Sequence, residues 1–331
     1  MRAAVVHEPG LVEVVDVADP SPGPDDVVVE VAACGVCGTD VHILHGEFAP
    51  RLPVTPGHEL AGTVVAVGRD VTGLRVGDVV AADPNLYCGR CHYCRRGRGN
   101  LCERFAALGV THPGGAAQYV AVPAGNCVRL PEHVRAEDAV LIEPLSCAVH
   151  AVDVLRGRVG DHCLVYGAGT MGLMVLRLAL ATGAASVDVV DTDPGKLVAA
   201  QALGCRQAVT DADELDMPRG WEVVVDCTGA PSAIEDGLSR VGRGGTFLQV
   251  GVTSPGTRVG WEPYRVFREE ITITGSMGVL HSYERAAELF FGGLVDPALL
   301  VSDRFRLDDY RAALDLVAAG TARKVLVTPH H

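Results

Sequence analysis

Four cysteines in one short loop, Cys88-x2-Cys91-x2-Cys94-x7-Cys102, most constrain what this chain can fold into. A Gly- and Arg-rich loop of that length has no core of its own, and a zinc held by four thiolates would supply one. Four sulfurs close a tetrahedral shell, so this metal is expected to be structural. A second ligand set is mixed and dispersed: Cys37 in Cys37-Gly38-Thr39-Asp40-Val41-His42, then His58-Glu59 after Gly57, then Glu143 in Ile142-Glu143-Pro144. Thiolate, imidazole and carboxylate leave a position for water or substrate, as a catalytic zinc requires. Two zinc ions per chain are therefore expected. Further on, Gly167-Ala168-Gly169-Thr170-Met171-Gly172 follows an apolar strand pattern, His162 to Tyr166, and opens an apolar helix pattern. That setting makes a glycine loop specific for a dinucleotide. Closed metal, open metal and nucleotide loop together point to zinc-assisted hydride transfer.

The bulk numbers fit an ordinary enzyme-sized globular chain. Its 331 residues suggest about two domains. With 48% hydrophobic residues, a large core is available. The net charge of −13 argues against general nucleic-acid binding and against an anionic membrane surface. Arg95, Arg96, Arg98 and Arg104 read as the solvated surface of the cysteine loop. The opening residues do not read as a signal peptide, and no apolar run reaches the length of a membrane span. Eleven cysteines in such a chain read as metal ligands and reduced thiols, hence a cytoplasmic protein.

Residues 1–144 are expected to form a β-rich, partly barrel-like domain, with residues 88–102 as its metal lobe. Residues 145–281 alternate strand and helix patterns, which predicts a doubly wound parallel sheet, an α/β Rossmann fold. Residues 282–331 carry two helical patterns and a final strand, Lys324 to Val327, and are expected to return to the first domain.

These motifs resemble the zinc-containing medium-chain alcohol dehydrogenases over nearly the whole length. The carrying residues are Gly57-His58-Glu59-Leu60-Ala61-Gly62 with Gly68, Cys37-Gly38-Thr39-Asp40, the four-cysteine lobe and the glycine loop. The resemblance implies a GroES-like catalytic domain beside the Rossmann domain, and a homodimer or homotetramer. Within the family the chain looks most like the polyol (sorbitol-type) dehydrogenases. Leu141-Ile142-Glu143-Pro144-Leu145-Ser146 carries that likeness, because classical alcohol dehydrogenases have a Cys ligand there. Threonine dehydrogenases share the Cys37–His42 stretch but usually carry Asp-Pro at the later site. Polyol dehydrogenases also place an Arg shortly after the last sheet strand, where this chain has Gly275-Ser276-Met277-Gly278.

In the reading this implies, Cys37 ligates as thiolate and His58 as neutral imidazole, with Glu59 or Glu143 completing the set. Glu143 could instead cap or pair structurally, with Cys147 as a rival ligand. Thr39, His42 and Glu59 are the expected catalytic groups. The proton would pass from the Thr39 hydroxyl through the cofactor ribose to His42 and solvent. Gly167, Gly169, Met171 and Gly172 would carry the pyrophosphate at a helix N-terminus. Asp191 would accept from the adenosine ribose hydroxyls and repel a 2′-phosphate, which favours NAD over NADP. Lys196 would reach the same ribose or lie solvated on its helix. Thr228 and Gly251, at the carboxyl edge of the sheet, would flank the nicotinamide. The expected reaction oxidises a secondary alcohol of a polyol, sugar or cyclitol to a ketone. The rival readings are a simple alcohol or threonine dehydrogenase, and a non-catalytic zinc-bound scaffold or redox sensor.

Overall fold

The computed structural model describes residues 1–48, 50–155 and 157–330. The chain begins with the hairpin β1 (Arg2–Glu8) and β2 (Leu11–Asp16), the long strand β3 (Asp26–Val36) and the short helix α1 (Gly38–Leu44). Next come β4 (Glu59–Val67), β5 (Val79–Ala82), a two-residue ladder of β6 (Asn85–Leu86) with β7 (Ala106–Ala107), β8 (Tyr119–Pro123), β9 (Cys127–Arg129) and α2 (Ala136–Ala139). The central stretch runs α3 (Ile142–Leu155), β10 (His162–Tyr166), α4 (Thr170–Ala181), β11 (Ser186–Val190), α5 (Pro194–Ala202) and β12 (Gln207–Val209). It continues through β13 (Trp221–Asp226), α6 (Pro231–Arg240), β14 (Val241–Gln249), α7 (Pro263–Glu269) and β15 (Thr272–Gly275). The tail holds α8 (Tyr283–Phe291), α9 (Pro297–Leu300), β16 (Val301–Arg306), α10 (Tyr310–Ala318) and β17 (Lys324–Thr328).

Two compact units result. One comprises Met1–Pro144, Val279–Gly293 and Val301–His331; the other comprises Leu145–Gly278 and Leu294–Leu300. The first is the GroES-like unit. Its main sheet runs β16-β17-β3-β4-β5-β9, and β8 also pairs with β3. β3 is long enough to serve two neighbours along one edge: Asp26–Glu30 pair with β8, and Cys34–Val36 pair with β17. Being central, it is buried along most of its length, and its Val27, Val29 and Val31 share one core with Leu60, Val64, Val80, Val120 and Val122. Burial of that apolar surface, at roughly 25 cal/mol per Å2, is what holds the strands together.

The second unit is a Rossmann sheet, all parallel, in the order β12-β11-β10-β13-β14-β15. Parallel strands covered on both faces should be apolar throughout, and β11 is buried at every residue. Its one charge, Asp188, is satisfied by Arg206 Nε at 2.9 Å and by the indole N–H of Trp221 at 2.9 Å.

Several elements lie outside the sequence expectation, among them α1, β12, α6 and α7. The β1–β2 hairpin opens the chain, and the tail contributes the strand β16 as well as helices and a final strand. β16 reads Val-Ser-Asp-Arg-Phe-Arg and sits at the sheet edge, where alternate charged residues face water and mask the strand pattern.

Candidate active site

Every cysteine is a free thiol. Cys88, Cys91, Cys94 and Cys102 converge, with Sγ–Sγ separations of 4.0 Å for Cys88–Cys94 and 3.9 Å for Cys91–Cys102. The edge of a zinc–thiolate tetrahedron is about 3.8 Å, from Zn–S bonds of about 2.3 Å. Backbone N–H groups point at the sulfurs: Cys88 and Arg104 donate to Cys102 Sγ at 3.4 and 3.3 Å, and Cys94 donates to Cys91 Sγ at 3.4 Å. Such donors lower the Cys91 thiol to about 6, while burial and the neighbouring sulfurs push Cys94 up to about 12. Four thiols this close cannot all ionise without a cation, so the set fits a zinc.

The second cluster is Cys37, His58 and Glu59, whose ligand atoms all lie within 4.8 Å of one another. Cys37 is the N-cap of α1. Its backbone N–H donates to Asp40 Oδ2 at 3.0 Å, and its sulfur accepts from the Thr39 N–H at 3.3 Å. This capping box aims the thiol at His58, with Sγ 3.2 Å from Nε2. Nδ1 of the same ring faces Asp40 Oδ1 at 3.7 Å. Burial alone would lower the His58 imidazole, but Cys37 and Asp40 outweigh it and hold it well above its ordinary value. The surroundings of Nε2 therefore favour positive charge, and the donor set suits a zinc.

Glu59 is gripped from behind. Lys324, at the start of β17, donates to both carboxylate oxygens at 2.6 and 2.7 Å, and the two side chains are 2% and 1% exposed. Glu59 and Leu326 both pair opposite Gly35 of β3, one on each side. Glu59 thus reaches over Gly35, where a Cβ would lie 1.8 Å from Oε2. Glu143, buried in the first turn of α3, lies outside the three-residue group, although its charge acts on Lys324 and on Tyr283. Thr39 and His42 share α1, both half-buried, and His42 Nδ1 donates to Glu47 Oε2.

Asp40, Lys324, Gly35 and Glu47 escaped the sequence reading. Two of them left a signal: Asp40 completes a capping box with Cys37, and Lys324 puts a charge at the head of the Val-Leu-Val run of β17.

In the Rossmann unit, Gly167 takes φ +98°, and a Cβ on Gly172 would lie 1.7 Å from the Gly167 carbonyl. A Cβ on Gly169, by contrast, meets nothing within 4 Å, so this N-cap of α4 opens onto a cradle suited to a pyrophosphate. Asp191 accepts the Ala168 N–H at 2.7 Å through Oδ2 and the Asp193 N–H at 2.9 Å through Oδ1. A carboxylate has about four acceptor positions, so two remain for ribose hydroxyls. Met171 is half-buried on α4 and Lys196 half-buried on α5. Thr228 is spent on the loop, with its N–H and hydroxyl both donating to Asp226 Oδ1. A Cβ on Gly251 would lie 2.2 Å from Gly229 N, which binds these two loops closely.

Residues 23–132 match the alcohol dehydrogenase GroES-like domain, and residues 170–292 match the zinc-binding dehydrogenase domain. D-arabinitol dehydrogenase 1 of Uromyces fabae is 37% identical over 92% of this chain and 90% of that protein. An L-threonine 3-dehydrogenase of Chelativorans sp. (strain BNC1) is 34% identical over 93% of this chain and 92% of its own length. Among solved structures, one described as a zinc-binding dehydrogenase from Sinorhizobium meliloti 1021, bound to NADP, superposes with a TM-score of 0.95. It is 34% identical and covers 99% of both chains. The chain is an oxidoreductase that belongs to the zinc-containing medium-chain alcohol dehydrogenases, most like their polyol dehydrogenase branch.

Proposed function

We propose that this protein is a two-zinc, NAD-linked dehydrogenase that oxidises a secondary alcohol of a polyol, sugar or cyclitol to a ketone, reversibly. The observation that carries this reading is the Cys37–His58–Glu59 cluster at the start of the helix that bears Thr39 and His42. When bound, zinc would act as a Lewis acid on the hydroxyl oxygen and NAD would accept the hydride. Cys37 and His58 would hold the metal, with Glu143 or Glu59 as third ligand. The grip of Lys324 on Glu59 favours Glu143 at rest. Thr39 would take the hydroxyl proton and His42 would deliver it to solvent, oriented by Glu47. Cys88, Cys91, Cys94 and Cys102 would hold the structural zinc.

The Rossmann unit would bind the cofactor through Gly167, Gly169, Met171 and Gly172. Asp191 and Lys196 would meet the adenosine ribose, and the loops of Thr228 and Gly251 would meet the nicotinamide. The Asp191 carboxylate would repel a 2′-phosphate, hence NAD rather than NADP. The likeness to an arabinitol dehydrogenase and the Glu at position 143 support a polyol over a simple alcohol. The likeness to threonine dehydrogenases supports L-threonine as the second reading. The sheet edge at β15 exposes Ile273, which supports a homodimer or homotetramer. The free thiols suit a reducing cytoplasm.

A panel of polyols, cyclitols, simple alcohols and L-threonine, followed by absorbance of the reduced nicotinamide, tests this. A polyol or cyclitol should turn over fastest with NAD. Preference for L-threonine or a simple alcohol would replace the substrate reading. No turnover on any alcohol by zinc-loaded protein would favour a scaffold or sensor.

A further inference from the structure

Asp226 closes β13 and Gln249 closes β14, opposite each other in the parallel register. Both stand at the carboxyl edge of the Rossmann sheet, where such sheets bind their ligands. The Asp226 side chain has no exposed surface, and its four hydrogen bonds come from uncharged donors. Oδ1 accepts from the Thr228 N–H at 3.1 Å and from the Thr228 hydroxyl at 2.6 Å. Oδ2 accepts from the Gly229 N–H at 2.9 Å and from Gln249 Nε2 at 2.6 Å. That fills the roughly four acceptor positions of a carboxylate. A wholly buried carboxylate without a cation is an expensive way to end a strand, and what this one holds is a pair of loops.

Gln249 ties in the second loop. Its Nε2 also donates to the Gly251 carbonyl at 2.6 Å, and the Val250 and Gly251 N–H groups donate to the Asp226 carbonyl at 2.9 and 2.8 Å. The loops interlock too tightly for side chains: a Cβ on Gly229 would lie 2.1 Å from the Val252 carbonyl oxygen, and one on Gly251 2.6 Å from Asp226 Oδ2. Thr228 also abuts the glycine loop, since a Cβ on Gly167 would lie 3.0 Å from its Cγ2. We infer that Asp226 and Gln249 are positioning residues for the nicotinamide half of the cofactor, their side chains clasping the loop after β13 to the loop after β14. This rests on the cofactor reading proposed above. Loops ordered before the cofactor arrives spare binding the entropy of ordering them.

Gln249→Ala removes the side-chain bonds to the second loop and leaves Asp226 its three donors in the first. Calorimetric titration with NADH, and with ADP-ribose, which lacks the nicotinamide, separates the two halves of the site. The variant should bind NADH roughly three- to tenfold more weakly, the span of one ordinary hydrogen bond. Its affinity for ADP-ribose should stay within about twofold of wild type, the scatter expected of independent sites. Gln249→Glu sets two carboxylates face to face and should weaken NADH further. Without cofactor, amide exchange over residues 227–230 and 250–252 should quicken in both variants. Equal losses for NADH and ADP-ribose would mean a general loosening of the unit and would overturn the inference. Unchanged NADH affinity in both variants, or unchanged exchange in the two loops, would overturn it as well. If the wild type prefers NADPH, that cofactor and 2′-phospho-ADP-ribose serve in the same titrations. If it binds neither dinucleotide, the cofactor reading itself fails, and this inference with it.

Discussion

Lys324→Met tests the link between the sheet and the metal cluster. The side chains of Lys324 and Glu59 are enclosed, and Nζ donates to both carboxylate oxygens at 2.6 and 2.7 Å. Met keeps most of the aliphatic stem and deletes the charge. The Glu59 carboxylate is then left buried without its cation, at a cost of about 3–5 kcal/mol. Glu59→Met should cost a similar amount, because it strands the ammonium instead. Replacing both should cost far less than the sum, since a buried pair exchanged for apolar side chains is close to neutral. The double-mutant cycle should therefore give a coupling of several kcal/mol.

The choice of probe matters. Trp221 and Trp261 both lie in the Rossmann unit, so tryptophan fluorescence reports that unit and serves as the unchanged control. Hydrogen exchange of peptides from β3, β4 and β17 reports the GroES-like unit. Each single variant should lose protection there, and the double variant should regain most of it. Additive losses, or a Lys324→Met effect below about 0.5 kcal/mol, the level of an ordinary surface change, would refute the pair as a structural tie.

Other variants probe the chemistry. Thr39→Ala and His42→Gln should both lower turnover, the second mainly at low pH and with partial rescue by added imidazole. The expected size lies at the low end of the general acid–base range of about 10²–10⁴-fold for His42→Gln, and is larger for Thr39→Ala. Unchanged pH–rate profiles would refute the relay. Asp191→Ser should weaken NAD by about 1–3 kcal/mol and improve NADP; steady-state constants decide it, and a wild type that prefers NADP would refute the assignment. Burial holds the Asp83 carboxyl above its ordinary value, despite donors from Asn85. As pH rises, the unfolded chain then ionises first, near pH 4 or about that, so Asp83 costs stability above that point. Asp83→Asn should raise the thermal midpoint at pH 7, and the gain should vanish as pH falls through the ordinary carboxylate range. A constant difference would contradict this.

Most strands of the Rossmann sheet were legible because parallel, doubly covered strands are apolar runs, but the three-residue edge strand β12 and the polar helices α6 and α7 were not. The core strands of the GroES-like unit were legible for a similar reason, as β-branched runs between Pro and Gly. Other features escaped because they depend on long-range pairing. β16 is an edge strand whose solvent-facing charges hide its period. The Glu59–Lys324 pair joins residues 265 positions apart and needs Gly35 between them, a geometry no local pattern announces. The metal motifs are visible as spacing, and Cys37, His58 and Glu59 meet as that spacing suggests. Which carboxylate faces the metal depends on what grips each one, and that is a property of the folded sheet.

The most direct measurement is zinc per chain in purified wild type and in Cys37→Ser. Wild type should hold two, and the variant one, retained in the four-cysteine lobe and resistant to mild chelation. A single zinc in both proteins would contradict the open metal centre on which the proposed chemistry depends.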